Sequence, residues 1–212
     1  MRLNLRVSRM DPGTGEAGLV TYPVDGLAPS MSILDALDVL NESLVAAGER
    51  AISFESDCRE GICGACGIVV DGFAQGPQRN TPACHQRLSS LQDGQTVVIQ
   101  PFGAAAFPVL ADLVVDRLAL DRVIEAGGYV SVDVGTAPAA ESLVASGPRV
   151  EAALDFAACI GCGACVAACP NGSAQLFVGA KLMHLSLLPV PELERSARAQ
   201  NMIAVADALF GP

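Results

Sequence analysis

The sequence predicts an α+β chain in two parts: a small mixed sheet gripping one helix over residues 1–104, and an all-helical domain over residues 105–212. Three observations predict it. Short β-type runs separated by turn residues fill the first hundred positions around a single run of helical period. Pro101 and the small residues 103–106 then interrupt the pattern, and two long helical runs with Pro189 between them close the chain.

The elements follow in order. Residues 2–9 and 18–24 read as a hairpin joined by a turn containing Asp11, Pro12, Gly13 and Gly15. Ser32 opens a helix, with Asp35 three residues on to complete a reciprocal cap, and Ile33, Leu37, Leu40 and Leu44 recur at helical spacing until Gly48 stops the run. Residues 51–54, 67–70 and 96–100 supply further short strands for the apolar face of that helix to cover. Beyond the junction, Leu110, Val114 and Leu118 with Asp112 and Asp116 predict an amphipathic helix, and a connection rich in Gly, Ala and Pro runs over residues 127–148. Helices are expected over residues 173–188 and 191–210, the last stopped by Gly211 and Pro212.

Composition narrows the function classes. With 51% hydrophobic and 17% charged residues the chain has ample material for packed cores. The mean hydropathy of +0.41 raises the question of a membrane span. Yet Asp112 and Asp116 interrupt one apolar stretch and Pro170, Asn171 and Lys181 another, so no spanning segment is expected. Apolar excess of this kind suits burial against other subunits and equally an alanine- and valine-rich core. A formal net charge of -10 argues against nucleic acid as a partner. Arg2, Arg6 and Arg9 alternate with Leu3, Leu5 and Val7 as an edge strand would, without the apolar run of a signal peptide.

The eight cysteines carry the chemistry. Cys58, Cys63, Cys66 and Cys84 are spaced C-x4-C-x2-C-x17-C, the plant-type [2Fe-2S] pattern, and Cys159, Cys162, Cys165 and Cys169 with Pro170 read C-x2-C-x2-C-x3-C-P, the bacterial [4Fe-4S] run. Zinc sites and redox dithiols also use C-x2-C pairs, but two full-length patterns in one chain, with no cysteine left over, favour iron-sulfur chemistry. Disulfides would call for an oxidising compartment and usually a smaller, cysteine-dense domain. In DCREGICGAC the glycines Gly61, Gly64 and Gly67 suit a loop that wraps a negative centre with backbone N–H groups. Three thiolates of CIGCGACVAACP can face one cube, while Cys169 is directed elsewhere; in two-cluster proteins the fourth cysteine of the run serves the other cluster.

The two motifs in this order make the chain resemble the iron-sulfur subunit of succinate dehydrogenase and fumarate reductase over essentially its whole length. The resemblance implies a plant-type ferredoxin (β-grasp) domain followed by an all-helical, bacterial-ferredoxin-like domain. It implies [2Fe-2S] on Cys58, Cys63, Cys66 and Cys84, three corners of [4Fe-4S] on Cys159, Cys162 and Cys165, and Cys169 on [3Fe-4S]. It further implies an electron relay without a substrate-converting site of its own. The partners would be an FAD-containing flavoprotein subunit that oxidises succinate or reduces fumarate and one or more membrane anchor subunits, which can bear haem, with a quinone nearby. The relay would be a peripheral subunit on the cytoplasmic face of the cell membrane.

The sequence departs from the family twice. Family members carry a further cysteine group supplying two more [3Fe-4S] ligands and the last [4Fe-4S] ligand, so the native polypeptide is expected to continue beyond Pro212 with three more cysteines. A Trp typical of the quinone side is replaced after Pro170 by Asn171, Gly172, Ser173 and Ala174, and the chain has no Trp. Arg59 is left open between tuning the cluster, meeting the flavoprotein and a plain salt bridge. His85 stands open between a donor to a cluster sulfur and a loop residue facing solvent, and His184 is expected to be a satisfied core or interface histidine. The competing classes are a freestanding two-cluster ferredoxin or the small subunit of another flavin or molybdenum oxidoreductase, and a colourless zinc protein.

Overall fold

The computed structural model describes residues 1–131 and 147–210. These fall into two compact units, Met1–Asp116 with Gly161–Gly172, and Arg117–Ile160 with Ser173–Pro212. The boundary expected at 104/105 lies inside the first unit.

In the first unit, β1 (Leu3–Met10) and β2 (Ala17–Val24) form the expected hairpin, and β3 (Ile68–Val70), β4 (Phe73–Ala74) and β5 (Thr96–Pro101) complete a five-stranded sheet of order β2-β1-β5-β3-β4. The pair β1–β5 is parallel, and β1–β2, β3–β4 and β3–β5 are antiparallel. Period-two alternation turns Leu3, Leu5 and Val7 inward and leaves Arg6 outside. Helix α1 (Ile33–Ala46) lays Ile33, Leu34, Leu37 and Leu40 against this face, together with Ile68, Val70, Val97 and Ile99. Each such side chain contributes about 1.5–3 kcal/mol on leaving water. The predicted cap is present in both directions: Ser32 N–H donates to Asp35 Oδ2 at 2.7 Å, and Asp35 N–H to Ser32 Oγ at 3.2 Å.

Two expected elements are absent, and one residue accounts for much of both differences. Residues 51–54 form no strand. Their backbone groups pair with side chains instead: Ile52 N–H donates to Asn41 Oδ1 at 2.7 Å, Asn41 Nδ2 returns to the Ile52 carbonyl at 2.9 Å, and Ser53 N–H donates to Asp112 Oδ2 at 2.9 Å. The amphipathic helix expected around Leu110, Val114 and Leu118 is replaced by a hairpin of β6 (Val109–Ala111) and β7 (Val114–Val115). A helix would have put Asp112 on its polar face in water. Here Asp112 turns through φ 44° and is 1% exposed. Its carboxylate accepts from Met10 N–H at 2.8 Å and from both Arg50 nitrogens at 2.9 and 3.0 Å, besides Ser53, with Arg9 Nε 3.6 Å away.

In the second unit, α2 (Leu118–Val123) runs into a wider turn at Ile124–Gly128, followed by α3 (Gly147–Ala157), α5 (Gln175–Leu187) and α6 (Glu192–Phe210); α4 (Ala164–Ala168) belongs to the first unit. The two last helices stand within a few residues of where their periodicity puts them. α3 was not expected, and a signal is hard to find: it buries no residue. Much of the expected 127–148 connection and the stop at Gly211–Pro212 lie outside the described residues. Phe177, Val178, Leu185, Met202 and Ala206 are buried in this unit, with Leu120 and Val123. Gly127 passes so close to α6 that a Cβ there would lie 2.5 Å from the Arg198 carbonyl oxygen. Arg198, 4% exposed, fastens this crossing: it donates to the carbonyls of Gly127 (3.0 Å) and Tyr129 and to Ser131 Oγ (2.8 Å), and it pairs with Glu194 at 3.1 Å.

Candidate iron-sulfur sites

The segment 58–66 has no regular secondary structure, and its path depends on left-handed backbone at Arg59 (φ 54°), Gly61 (75°) and Gly64 (73°). Gly67 differs from the other two glycines of the loop. It has no positive φ, but a Cβ there would lie 2.7 Å from the Phe102 ring, so glycine permits the loop to close on the core.

This path turns N–H groups onto sulfur. Glu60 N–H donates to Cys58 Sγ at 3.3 Å and Ala65 N–H to Cys63 Sγ at 3.4 Å. The backbone N–H of Glu60, then that of Ile62 and the Cys63 thiol, bring the Cys58 thiol down to about 7, poised to bind as thiolate. Cys66 and Cys84 are the interior pair, 3% and 4% exposed. Burial pushes the Cys66 thiol up to about 11, and the charge of the adjoining Cys84 adds to this against a backbone N–H of Cys84. Cys84 sits in a single helical turn, Ala83–His85, braced by side-chain amides. Among the described residues no three His, Cys, Asp or Glu side chains converge on the position of a single ion.

Arg59 ties the loop to α1. Its Nη1 donates to Asp35 Oδ1 at 3.1 Å, and its Nη2 to Asp38 Oδ1 at 3.2 Å and Ser56 Oγ at 3.1 Å. Asp35 also completes the helix cap, so one carboxylate joins helix start and thiol loop. For Asp35, burial works to raise the pKa, but the Ser32 hydrogen bonds and the Arg59 guanidinium outweigh it and keep the carboxyl below its ordinary range. His85 is half-buried, and its Nε2 donates to the Arg59 carbonyl at 3.3 Å. Ile62 is 68% exposed at the loop tip.

In the second motif, Gly161 (φ 69°) and Gly163 (φ 79°) shape the approach to α4. Ala164 N–H donates to Cys162 Sγ at 3.5 Å, Cys165 lies in α4, and Cys169 ends it in extended conformation. Cys159 follows α3 in the second unit, whereas Cys162, Cys165 and Cys169 belong to the first. His184 is buried on α5, 6% exposed, and burial together with the Lys181 charge lowers its pKa.

A five-stranded sheet that presents three thiols on a glycine-laced loop and a fourth, Cys84, on a separate helical turn, followed by a C-x2-C-x2-C-x3-C-P run, defines a protein of the iron-sulfur class. Residues 4–122 match a family model described as a 2Fe-2S iron-sulfur cluster binding domain, and residues 152–174 match one described as a 4Fe-4S binding domain. The fumarate reductase iron-sulfur subunit of Escherichia coli O6:H1 is 30% identical over 186 residues, covering 84% of this chain and 67% of that one. The succinate dehydrogenase iron-sulfur subunit of Bacillus subtilis is 27% identical over 161 residues, covering 71% and 57%. A solved structure titled Mycobacterium smegmatis Sdh1 complex in the apo form contains a chain of the same fold, with TM-score 0.65 and 17% identity over 98% of this chain and 95% of that one. The chain belongs to the family of iron-sulfur subunits of fumarate reductase and succinate dehydrogenase.

Proposed function

We propose that this chain relays electrons between an FAD-bearing flavoprotein, which oxidises succinate or reduces fumarate, and a quinone site at membrane anchor subunits, with no substrate-converting site of its own. The observation that carries the reading is the thiol loop at Cys58–Cys66, where backbone N–H groups already point at Cys58 and Cys63. Such a donor set fits a thiolate-held cluster, whose added negative charge on reduction is stabilised by hydrogen bonds to sulfur. Cys58, Cys63, Cys66 and Cys84 would hold [2Fe-2S]. Cys159, Cys162 and Cys165 would contribute to [4Fe-4S], and Cys169 to [3Fe-4S]. Iron-sulfur clusters supply one-electron redox chemistry when bound. The residues of the chain do the rest: Arg59 restrains the loop against α1, the interior pair Cys66 and Cys84 is shielded from water, and exposed Ile62 gives the loop an apolar tip toward a partner.

No helix among the described residues is long and apolar enough to cross a membrane. The proposed place is that of a peripheral subunit on the cytoplasmic face, the reading that goes with membrane anchor partners. Functionally, residues 1–104 form the [2Fe-2S] domain and residues 105–212 contribute the cysteines of the other clusters.

The test combines purification and EPR. Isolation from membranes should bring a flavoprotein and anchor chains with it, and Cys63→Ser should abolish or distort the [2Fe-2S] signal while leaving the other cluster signals in place. Purification as a monomer active with a diffusible donor, without flavin or membrane chain, would favour the freestanding ferredoxin; loss of all signals together in Cys63→Ser would count against separate sites.

A further inference from the structure

Gln75 lies directly after β4, between the two interior cysteines. Its backbone N–H donates to the Ile68 carbonyl at 2.7 Å, two residues beyond Cys66. Its side-chain Oε1 accepts the N–H of Ala83 at 2.9 Å, one residue before Cys84. One residue thus bridges the strand that leaves Cys66 and the turn that holds Cys84.

Three features mark Gln75 in the thiol protein, and the last has no counterpart there. Its backbone is left-handed, φ 70°, a conformation that glycine or asparagine takes more easily. The residue is buried, 6% exposed. Its Nε2 is a buried donor with no acceptor among the described residues. The amide cannot relieve this by turning over, because that would set its N–H against the Ala83 N–H and lose the one bond it makes. Gln86, close by, shows the contrast: its Oε1 accepts from Gln78 N–H at 3.1 Å, and its Nε2 donates to the carbonyls of Gln78 (3.0 Å) and Thr81 (2.8 Å). The path at this point is held closely as well, since a Cβ on Gly76 would lie 2.5 Å from Gln86 Cδ.

Buried amide donors find acceptors in nearly all native structures, and left-handed strain at a non-glycine residue collects where function requires it. A cluster held on Cys66 and Cys84 would add electron-rich sulfur acceptors to this neighbourhood, since Gln75 already bonds their chain neighbours Ile68 and Ala83. We infer that Gln75 is a tuning residue that donates a hydrogen bond from Nε2 to a sulfur of the [2Fe-2S] cluster and raises its reduction potential. The inference rests on the reading of Cys58, Cys63, Cys66 and Cys84 as the ligands of that cluster. The donor acts because reduction adds negative charge to the sulfurs, and an N–H aimed at them stabilises the reduced form more than the oxidised one.

The experiment uses the cluster-loaded complex. EPR of the reduced protein first shows whether the [2Fe-2S] signal exists; its absence defeats the ligand reading itself. Given the signal, protein grown with glutamine labelled with 15N at the side-chain amide should show a 15N hyperfine coupling to the reduced cluster that disappears in Gln75→Met. Potentiometric titration of the same variant should move the ratio of reduced to oxidised cluster about tenfold toward the oxidised form at a fixed potential, about 59 mV for one electron. A merely structural role would lower the melting temperature of Gln75→Met and leave coupling and potential unchanged, which overturns the inference. A potential shift without side-chain 15N coupling overturns it too. Where Gln75→Met fails to take up cluster, Gln75→Glu takes its place in the same comparison: loss of the 15N coupling supports the donor, and its persistence refutes it.

Discussion

Asp112→Asn keeps the shape of the side chain and its tolerance for φ 44° but removes the charge from the centre of a buried cluster. The carboxylate faces donors on both oxygens: Met10 N–H and Arg50 Nη2 on Oδ1, Ser53 N–H and Arg50 Nη1 on Oδ2. An amide can accept on one side only, so two donors would meet an NH2 group, and Arg9 and Arg50 would lose their counter-charge. Breaking a buried pair from one side costs about 3–5 kcal/mol. For a chain of this length the first unit should then melt about 6–20 °C lower. With no Trp in the chain, a Tyr129→Phe background leaves Tyr22 in β2 to report the first unit. Burial works to raise the Asp112 pKa, but Arg50, the two N–H donors and Arg9 outweigh it and hold the carboxyl below its ordinary 3.8. The stabilisation is therefore present above about pH 4 and lost as pH falls through the folded value. Urea titrations of wild type and variant should diverge at pH 7 and converge as the pH falls below 4. A gap under about 1 kcal/mol at neutral pH, the range of exposed ion pairs, would refute the reasoning.

Three further outcomes are expected. Arg59→Lys keeps the charge but loses the forked contact with Asp35 and Asp38, so chelators should strip iron from the first cluster about three- to tenfold faster while the fold loses only about 1 kcal/mol; an unchanged rate of bleaching would show that the clamp does not restrain the loop. Gly67→Ala places a Cβ 2.7 Å from the Phe102 ring and should cost about 1–3 kcal/mol, partly recovered in the double variant with Phe102→Leu, as urea unfolding can check. The folded pKa of His184 is lowered by burial and Lys181, so the unfolded chain takes up the proton first. Its contribution is full above about pH 6.5 and lost as pH falls toward the folded value; the drop in unfolding midpoint between pH 7.5 and 5 should shrink in His184→Gln.

The legible parts of this chain were those fixed by neighbours in sequence. Ser32 and Asp35 meet across one helical turn, and alternation in residues 3–7 needs only a single face to bury. Cysteine spacing and the loop glycines likewise pointed to the thiol loop. What failed depended on partners far along the chain. Apolar residues at 110, 114 and 118 have helical spacing, yet Asp112 is drawn inside by Arg50, 62 residues away, and that long-range pairing overrides the local period. Residues 51–54 have strand composition, but Asn41 and Asp112 take the hydrogen bonds a neighbouring strand would have taken. Gln75 gave no signal beyond a polar residue after a Gly-containing turn. Its interest comes from Ala83 and Ile68, which only the fold brings to it.

The assignment of Gly161–Gly172 to the first unit has a consequence for biosynthesis. The chain emerges from the ribosome in order, so the strands, α1 and Cys58–Cys84 appear well before the segment that completes their own unit. The 56 residues Arg117–Gly172 must follow. At common elongation rates that is a delay of about 3–11 s. During this interval the first four thiols are already presented on a nearly finished sheet, while Cys162, Cys165 and Cys169 have no scaffold until their stretch returns to it. Folding of this unit is thereby ordered in time: the first loop can form on the nascent chain, whereas the stretch with the later cysteines joins through a step that links the two ends of an interrupted unit.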